Sequence, residues 1–290
     1  MKAEQRLLGK FATPFTLGQI DVGNFRINYI QGGKGEPLLL IHGANIGWGQ
    51  WHLNLDEMAK KNEVFAIDLP GSGGSTKIEM KDSNLEEDFV ETVHQFLEKK
   101  GITQVNICAH SLGGWVALKL SLRAPQLVKK MVLLSPVGLS SYLPWQYRLM
   151  GFSFFVRVLT QKCVPVNRKN MADFLGSVCK KKDFLTDDFV DYYFESITRG
   201  ERVTHPFWCI HRLCDIGKMR SEFYLADEIK TIRAEVLWIW GREDPLFPLR
   251  KNANISNALK GKTEVFENTG HVACLENHSL FNEICCRYLG

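Results

Sequence analysis

The 290-residue sequence predicts an α/β fold: a mostly parallel sheet covered by helices on both faces, with a helical segment inserted between two of its strands. Three observations carry this. Short, continuously apolar runs such as "PLLLIHG" read as strands buried on both faces. Those runs alternate with stretches of helical period, the pattern of parallel strands joined by crossover helices. The alternation stops near Pro136 and resumes near Lys230, and the stretch between is aromatic, basic and without a clear strand. The expected division is a core of residues 1–136 and 231–290 and a helical cap of residues 137–230.

Taken in order, "FTLGQIDV" and "FRINYIQGG" read as a hairpin turning at Gly23-Asn24. "PLLLIHG" is a strand, "WHLNLDEMAKK" a helix, and "EVFAIDLPG" a strand ending in a turn. "NLEEDFVETVHQFLEKKG" places Phe89, Val90, Val93, Phe96 and Leu97 at helical spacing, with Gly101 as a stop. "QVNICAH" is a strand, "LGGWVALKLSLRAP" the helix after it, and "KKMVLLSP" a further strand. Beyond the inserted segment, "AEVLWIWG" and "TEVFENTG" resume the strand pattern and "SLFNEICCRYL" closes as a helix.

Apolar residues make up 45% and charged residues 23% of the chain, so a sizeable core is available and no long segment needs to be disordered. The net charge of +4 is too small to argue for nucleic acid. The cations are uneven, crowding between Arg148 and Arg220 with Lys180, Lys181 and Lys182 in a row. That region reads as a solvated basic face or as a docking surface for an acidic partner or an anionic membrane. None of the eight cysteines pairs at a C-x-x-C spacing, and "MKAEQRLLGKFATPF" has no apolar segment of signal-peptide length. Free thiols and a cytoplasmic location are expected. No run approaches the length of a membrane span.

The chemistry gathers at one junction. Ser111 stands where the buried strand "QVNICAH" turns directly into a helix. Ala109 lies two residues before it and Gly113 two after, the small-x-Ser-x-Gly pattern of a sharp turn that presents a serine at a sheet edge. The helix start adds unpaired N–H groups and positive potential. Read alone, Ser111 also fits an N-cap, a position serine favours, as the lesser reading of the motif. A nucleophilic serine needs a base, and the base an orienting acid. Asp244 in "WIWGREDPLFP" and His271 in "TEVFENTGHVACLEN" each follow a strand. In a parallel sheet, loops leaving the carboxyl ends of strands share one edge, so the three can meet. Glu243 is the alternative acid. His42-Gly43 closes another strand and brings the N–H of Ala44 forward as a second oxyanion donor beside that of Leu112. His42 reads as a support of its loop, Trp51 as packing against a helix, and His110 as packing or a pocket wall. "DLPGSGG" lacks the G-x-G-x-x-G spacing of a dinucleotide site.

"HGANIG", "DLPGSGGS", "AHSLGGW", "GREDPLFP" and "TGHVACLEN" together resemble the α/β-hydrolase superfamily. The resemblance covers most of the chain outside the inserted segment. It implies an eight-stranded sheet, a cap inserted after the sixth strand, and a Ser111–Asp244–His271 triad with Asp68 as a structural anchor. It implies no metal or organic cofactor. Hydrolysis of a carboxylic ester through an acyl-enzyme is the expected activity, on a small-molecule acyl ester. The aromatic stretch of residues 140–159 reads either as cap packing or as a lid over an apolar acyl pocket, with Trp145, Phe154 and Phe155 beside His110 as candidate substrate contacts. Other members of the superfamily stay open as readings: meta-cleavage product hydrolases, which cut carbon–carbon bonds, acyl-carrier-protein methyl ester esterases, and ligand receptors. Many meta-cleavage product hydrolases carry Asn before the serine, where this chain has His110.

Overall fold

A computed structural model describes residues 2–78, 84–144, 165–199, 212–215, 218–251 and 261–290. Its centre is an eight-stranded sheet. The strands are β1 (Thr16–Val22), β2 (Phe25–Gly33), β3 (Glu36–Ile41), β4 (Asn62–Ile67), β5 (Val105–His110), β6 (Val128–Leu134), β9 (Glu235–Gly241) and β10 (Lys262–Phe266). Their order across the sheet is β1-β2-β4-β3-β5-β6-β9-β10. The hairpin β1–β2 and the β2–β4 pair are antiparallel, and every later pairing is parallel.

The two-residue period of the strands divides the core. Leu39, Ile41, Ile107, Ala109, Leu133 and Trp238 pack on one face with α3 (Thr92–Lys99) and α4 (Leu112–Arg123). Leu38, Leu40, Cys108, Val132, Leu134 and Ile239 pack on the other. There they meet α1 (Lys2–Leu8), α2 (Leu55–Met58) and the closing helices α7 (Ala273–Glu276) and α8 (His278–Leu289). A strand buried on both faces has no polar side to show, which is why its sequence reads as an unbroken apolar run.

Between β6 and β9 the described chain forms α5 (Arg168–Ser177), α6 (Asp187–Thr198) and a two-stranded hairpin of β7 (Cys214–Asp215) and β8 (Lys218–Met219). Asn167 and Thr186 cap the two helices by accepting from Asn170 N and Phe189 N. The hairpin corrects the expectation that this segment holds no strand; two-residue strands are too short to show a period. A second correction concerns "WHLNLDEMAKK". Trp51, Leu55 and Met58 keep a helical spacing and are fully buried, but the backbone forms a tight turn at Trp48–Trp51 and resumes helix only at Leu55–Met58. Asn54 breaks it at φ −121°, turning its amide to Cys274 O at 3.0 Å and Asn282 Oδ1 at 2.8 Å. Cys108, Cys179, Cys274, Cys285 and Cys286 are free thiols, and none of the described helices is long and apolar enough to cross a membrane.

Helix α1, unassigned in the sequence, buries a carboxylate. Glu4 is 2% exposed and its Oε1 accepts from Trp48 Nε1 and Asn28 Nδ2, each at 2.9 Å. Asp68 lies on the other side of the Asn28 amide, accepting from it at 2.8 Å and from Trp48 N and Gly74 N at 2.7 Å. Burial, reinforced by the Asp68 charge, raises Glu4 above the ordinary carboxylate range. A native value above the unfolded one means that the ionised form costs stability once pH rises past it; at low pH, where both states hold the proton, no cost remains. Glu4→Gln keeps an amide oxygen for both donors and removes the charge. Thermal melts are expected to show the variant melting above the parent near neutral pH and the gap closing as pH falls to about 4, the ordinary glutamate value.

Candidate active site

Four strand ends meet at the carboxyl edge of the sheet. β5 stops at His110, and Ser111 follows with φ 52° and ψ −115° before α4 begins. A non-glycine residue in this region stores strain of about 1–3 kcal/mol. The turn is held by its backbone: Ser111 N donates to Leu134 O at 2.9 Å, and Val137 N donates to Ser111 O at 3.0 Å. Gly113 explains the small position of the motif. A Cβ there would lie 2.5 Å from His42 O and 2.6 Å from Ile41 O, so only glycine lets the first turn of α4 sit against the end of β3. The Ser111 side chain makes no cap bond to its helix, so the serine is not serving as an N-cap.

Asp244 and His271 follow β9 and β10. A Cβ on Gly241, the last residue of β9, would lie 1.9 Å from Gly270 O; its absence lets the two loops press together. His271 Nδ1 donates to Asp244 Oδ2 at 2.9 Å, while Asp244 Oδ1 accepts from Leu246 N and Phe247 N at 2.8 and 3.0 Å. Burial alone would raise the Asp244 carboxyl, but the pairing with His271 and the backbone donors outweigh it and hold it below the usual range. Glu243, the alternative acid, is engaged elsewhere: its Oε2 accepts from Thr269 N at 3.0 Å.

Ser111, His271, Ala44, Leu112 and His110 line one cavity, together with Asn45, Val137, Phe174, Val178, Tyr193, Leu246 and Phe247. Its described lining contains no lysine, arginine, aspartate or glutamate. Among the described residues no hydrogen bond joins Ser111 Oγ to His271; such bonds are often long without substrate and tighten when it binds. No protein acceptor takes the N–H of Ala44 or Leu112 among the described residues. Trp145, Phe154 and Phe155 lie outside the described residues.

The histidines divide by environment. His42 is fully buried and pushed down to about 4 by burial. Its Nε2 accepts from Leu69 N at 2.9 Å and its Nδ1 donates to Gly43 O, which fixes a neutral ring as a strut under the Ala44 turn. His110 is also held neutral by burial and by the neighbouring His271. Its Nε2 donates to the His271 carbonyl at 3.0 Å, and the two rings stand 4.6 Å apart. It is therefore a wall of the cavity and a brace for the His271 backbone. Gln50 went unnoticed in the sequence: its Oε1 accepts from Gly43 N at 2.9 Å and so steadies the turn carrying Ala44.

Comparison with known proteins agrees with this architecture. The sequence profile described as "alpha/beta hydrolase fold" matches residues 36–278. The chain is 30% identical over 272 residues to the dihydrolipoyllysine-residue acetyltransferase component of an acetoin cleaving system from Cupriavidus necator, covering 93% of this chain and 68% of that protein. It is 23% identical over 279 residues to a 2-hydroxy-6-oxononadienedioate/2-hydroxy-6-oxononatrienedioate hydrolase from Comamonas testosteroni, covering 94% of each. The naproxen esterase of Bacillus subtilis has a similar structure, with a TM-score of 0.79 and 20% identity, covering 100% of this chain and 96% of that one. With its eight-stranded sheet, its strand-to-helix serine turn and a family match spanning most of its length, the chain belongs to the α/β-hydrolase fold family.

Proposed function

We propose that this hydrolase cleaves a carboxylic ester through an acyl-enzyme on Ser111. The observation that carries the reading is the His271 Nδ1–H bond to Asp244 at 2.9 Å, on a histidine that shares with Ser111 one cavity whose described lining holds no lysine, arginine, aspartate or glutamate. With Nδ1 holding its proton against Asp244, Nε2 is left as the base. His271 takes the Ser111 proton as Oγ attacks the acyl carbonyl, and the N–H groups of Ala44 and Leu112 receive the oxyanion. The protonated His271 then gives its proton to the leaving alcohol. Water, deprotonated by the same nitrogen, releases the acid and restores the serine. One oxyanion donor is typically worth about 3–4 kcal/mol in the transition state.

The apolar lining favours an apolar acyl group. The segment of residues 137–230 is read as the cap over this cavity, with Trp145, Phe154 and Phe155 as candidate contacts, and its basic residues as a candidate docking face for an acyl-carrier protein or a membrane surface. A second reading, carbon–carbon bond hydrolysis, is favoured by the named activity of the Comamonas relative. Its substrates, as named, are carboxylates, and the described cavity lining offers no cation to pair with one.

Rates on p-nitrophenyl esters from acetate to palmitate test the ester reading, and the optimum chain length sizes the pocket. Turnover of a 2-hydroxy-6-oxo-dienoate without ester turnover would move the second reading ahead. Ligand binding with no covalent acylation would favour a receptor.

A further inference from the structure

We propose that Glu276 is a positioning residue for His271, through which the segment between β6 and β9 sets the alignment of the base; the proposal rests on the reading of His271 as general base. Glu276 ends α7 and is 6% exposed. Its carboxylate is held by backbone donors from two separate stretches of chain. Oε2 accepts from Gly270 N at 2.8 Å, from Lys180 N at 2.7 Å and from Lys181 N at 3.3 Å. Oε1 accepts from Val272 N at 3.0 Å. Gly270 and Val272 are the two neighbours of His271. Lys180 and Lys181 follow α5, in the segment between β6 and β9. The same stretch reaches the base directly, because His271 N donates to Val178 O at 2.9 Å.

These contacts leave the His271 backbone little freedom to move alone. The peptide N–H before it and the one after it end on one carboxylate, and that carboxylate is pinned from the far side by Lys180 and Lys181. A buried carboxylate is tolerable when hydrogen bonds replace its water, and bonds to an ionised acceptor are the short, strong kind. Glutamine is a poor replacement, since its NH2 group would confront either Val272 N–H or the three donors now on Oε2. A displacement of the His271 loop of about 1 Å is enough to cost about 10²-fold in a reaction that depends on alignment.

The experiment compares the parent with Glu276→Gln and Glu276→Asp by ester turnover and by the proton NMR signal of His271 Nδ1–H, with circular dichroism to establish folding. Expected for folded Glu276→Gln is a kcat lower by about 10²-fold with KM within about twofold, because only transition-state alignment is lost. The Nδ1–H signal shared with Asp244 should shift or vanish. Native kcat with a native signal, or a loss confined to KM, overturns the proposal. If Glu276→Gln does not fold, Glu276→Asp decides. It keeps the charge but withdraws one methylene from Lys180 and Lys181, so a smaller kcat loss with the same spectral change is expected, and native values for both overturn it. Should the parent hydrolyse no ester, the proposed activity fails on its own, and the NMR signal still decides whether Glu276 positions His271: a signal unchanged in the variant counts against it.

Discussion

Replacing Ser111 by alanine is expected to lower ester turnover by about 10⁶-fold, the scale seen when a serine nucleophile is removed from a complete triad. The substitution deletes one oxygen that takes no part in capping α4. The backbone bonds that hold the turn, Ser111 N to Leu134 O and Val137 N to Ser111 O, are untouched. Alanine bears the same Cβ at φ 52°, so the strained turn is no harder to form. Circular dichroism and Tm should therefore match the parent while kcat collapses. Turnover within about tenfold of the parent would show that the observed chemistry does not pass through this serine.

Asp244→Asn is expected to cost about 10⁴-fold in kcat with the fold intact. The aspartate acts on His271 in two ways. It accepts the Nδ1 proton at 2.9 Å, which leaves Nε2 free to act as the proposed base. In the proposed mechanism it also balances the imidazolium formed when His271 takes the serine proton. Asparagine turns an NH2 group to Nδ1, drives the proton to Nε2 and removes the charge. The neighbouring Glu243 is not free to substitute, because its carboxylate binds Thr269 N on the far side of the turn. The loss should fall on kcat rather than KM, and a variant that keeps more than about a tenth of parental kcat would contradict the assigned role.

Much of this architecture is written in local pattern. Leu38–Ile41 and Val105–Ala109 are buried on both sheet faces, so each strand announced itself as an apolar run. Ser111, Asp244 and His271 are legible as candidates because each follows the end of a strand, and a parallel sheet brings such ends to one edge. What local pattern hides is long-range polar pairing. Asn54 breaks a stretch of helical period because its amide binds Cys274 and Asn282, more than two hundred positions away in the chain. Glu4 looks like a solvent-facing residue of a short helix until Trp48 and Asn28 are seen to hold it. Glu276 reads as an ordinary charged helix residue, since the backbone donors that bury it come from Lys180 and Lys181 as well as from its own loop. In each case the residue type argues for exposure and only the partners reverse it.

The most direct test of a serine nucleophile at this site is covalent labelling with a fluorophosphonate, read by intact mass and then by peptide mapping. A nucleophilic role for Ser111 predicts a single adduct on the peptide that carries it, formed in step with loss of ester turnover and absent from Ser111→Ala. An unmodified Ser111 in protein that has lost activity, or full activity retained after Ser111 is labelled, would contradict it.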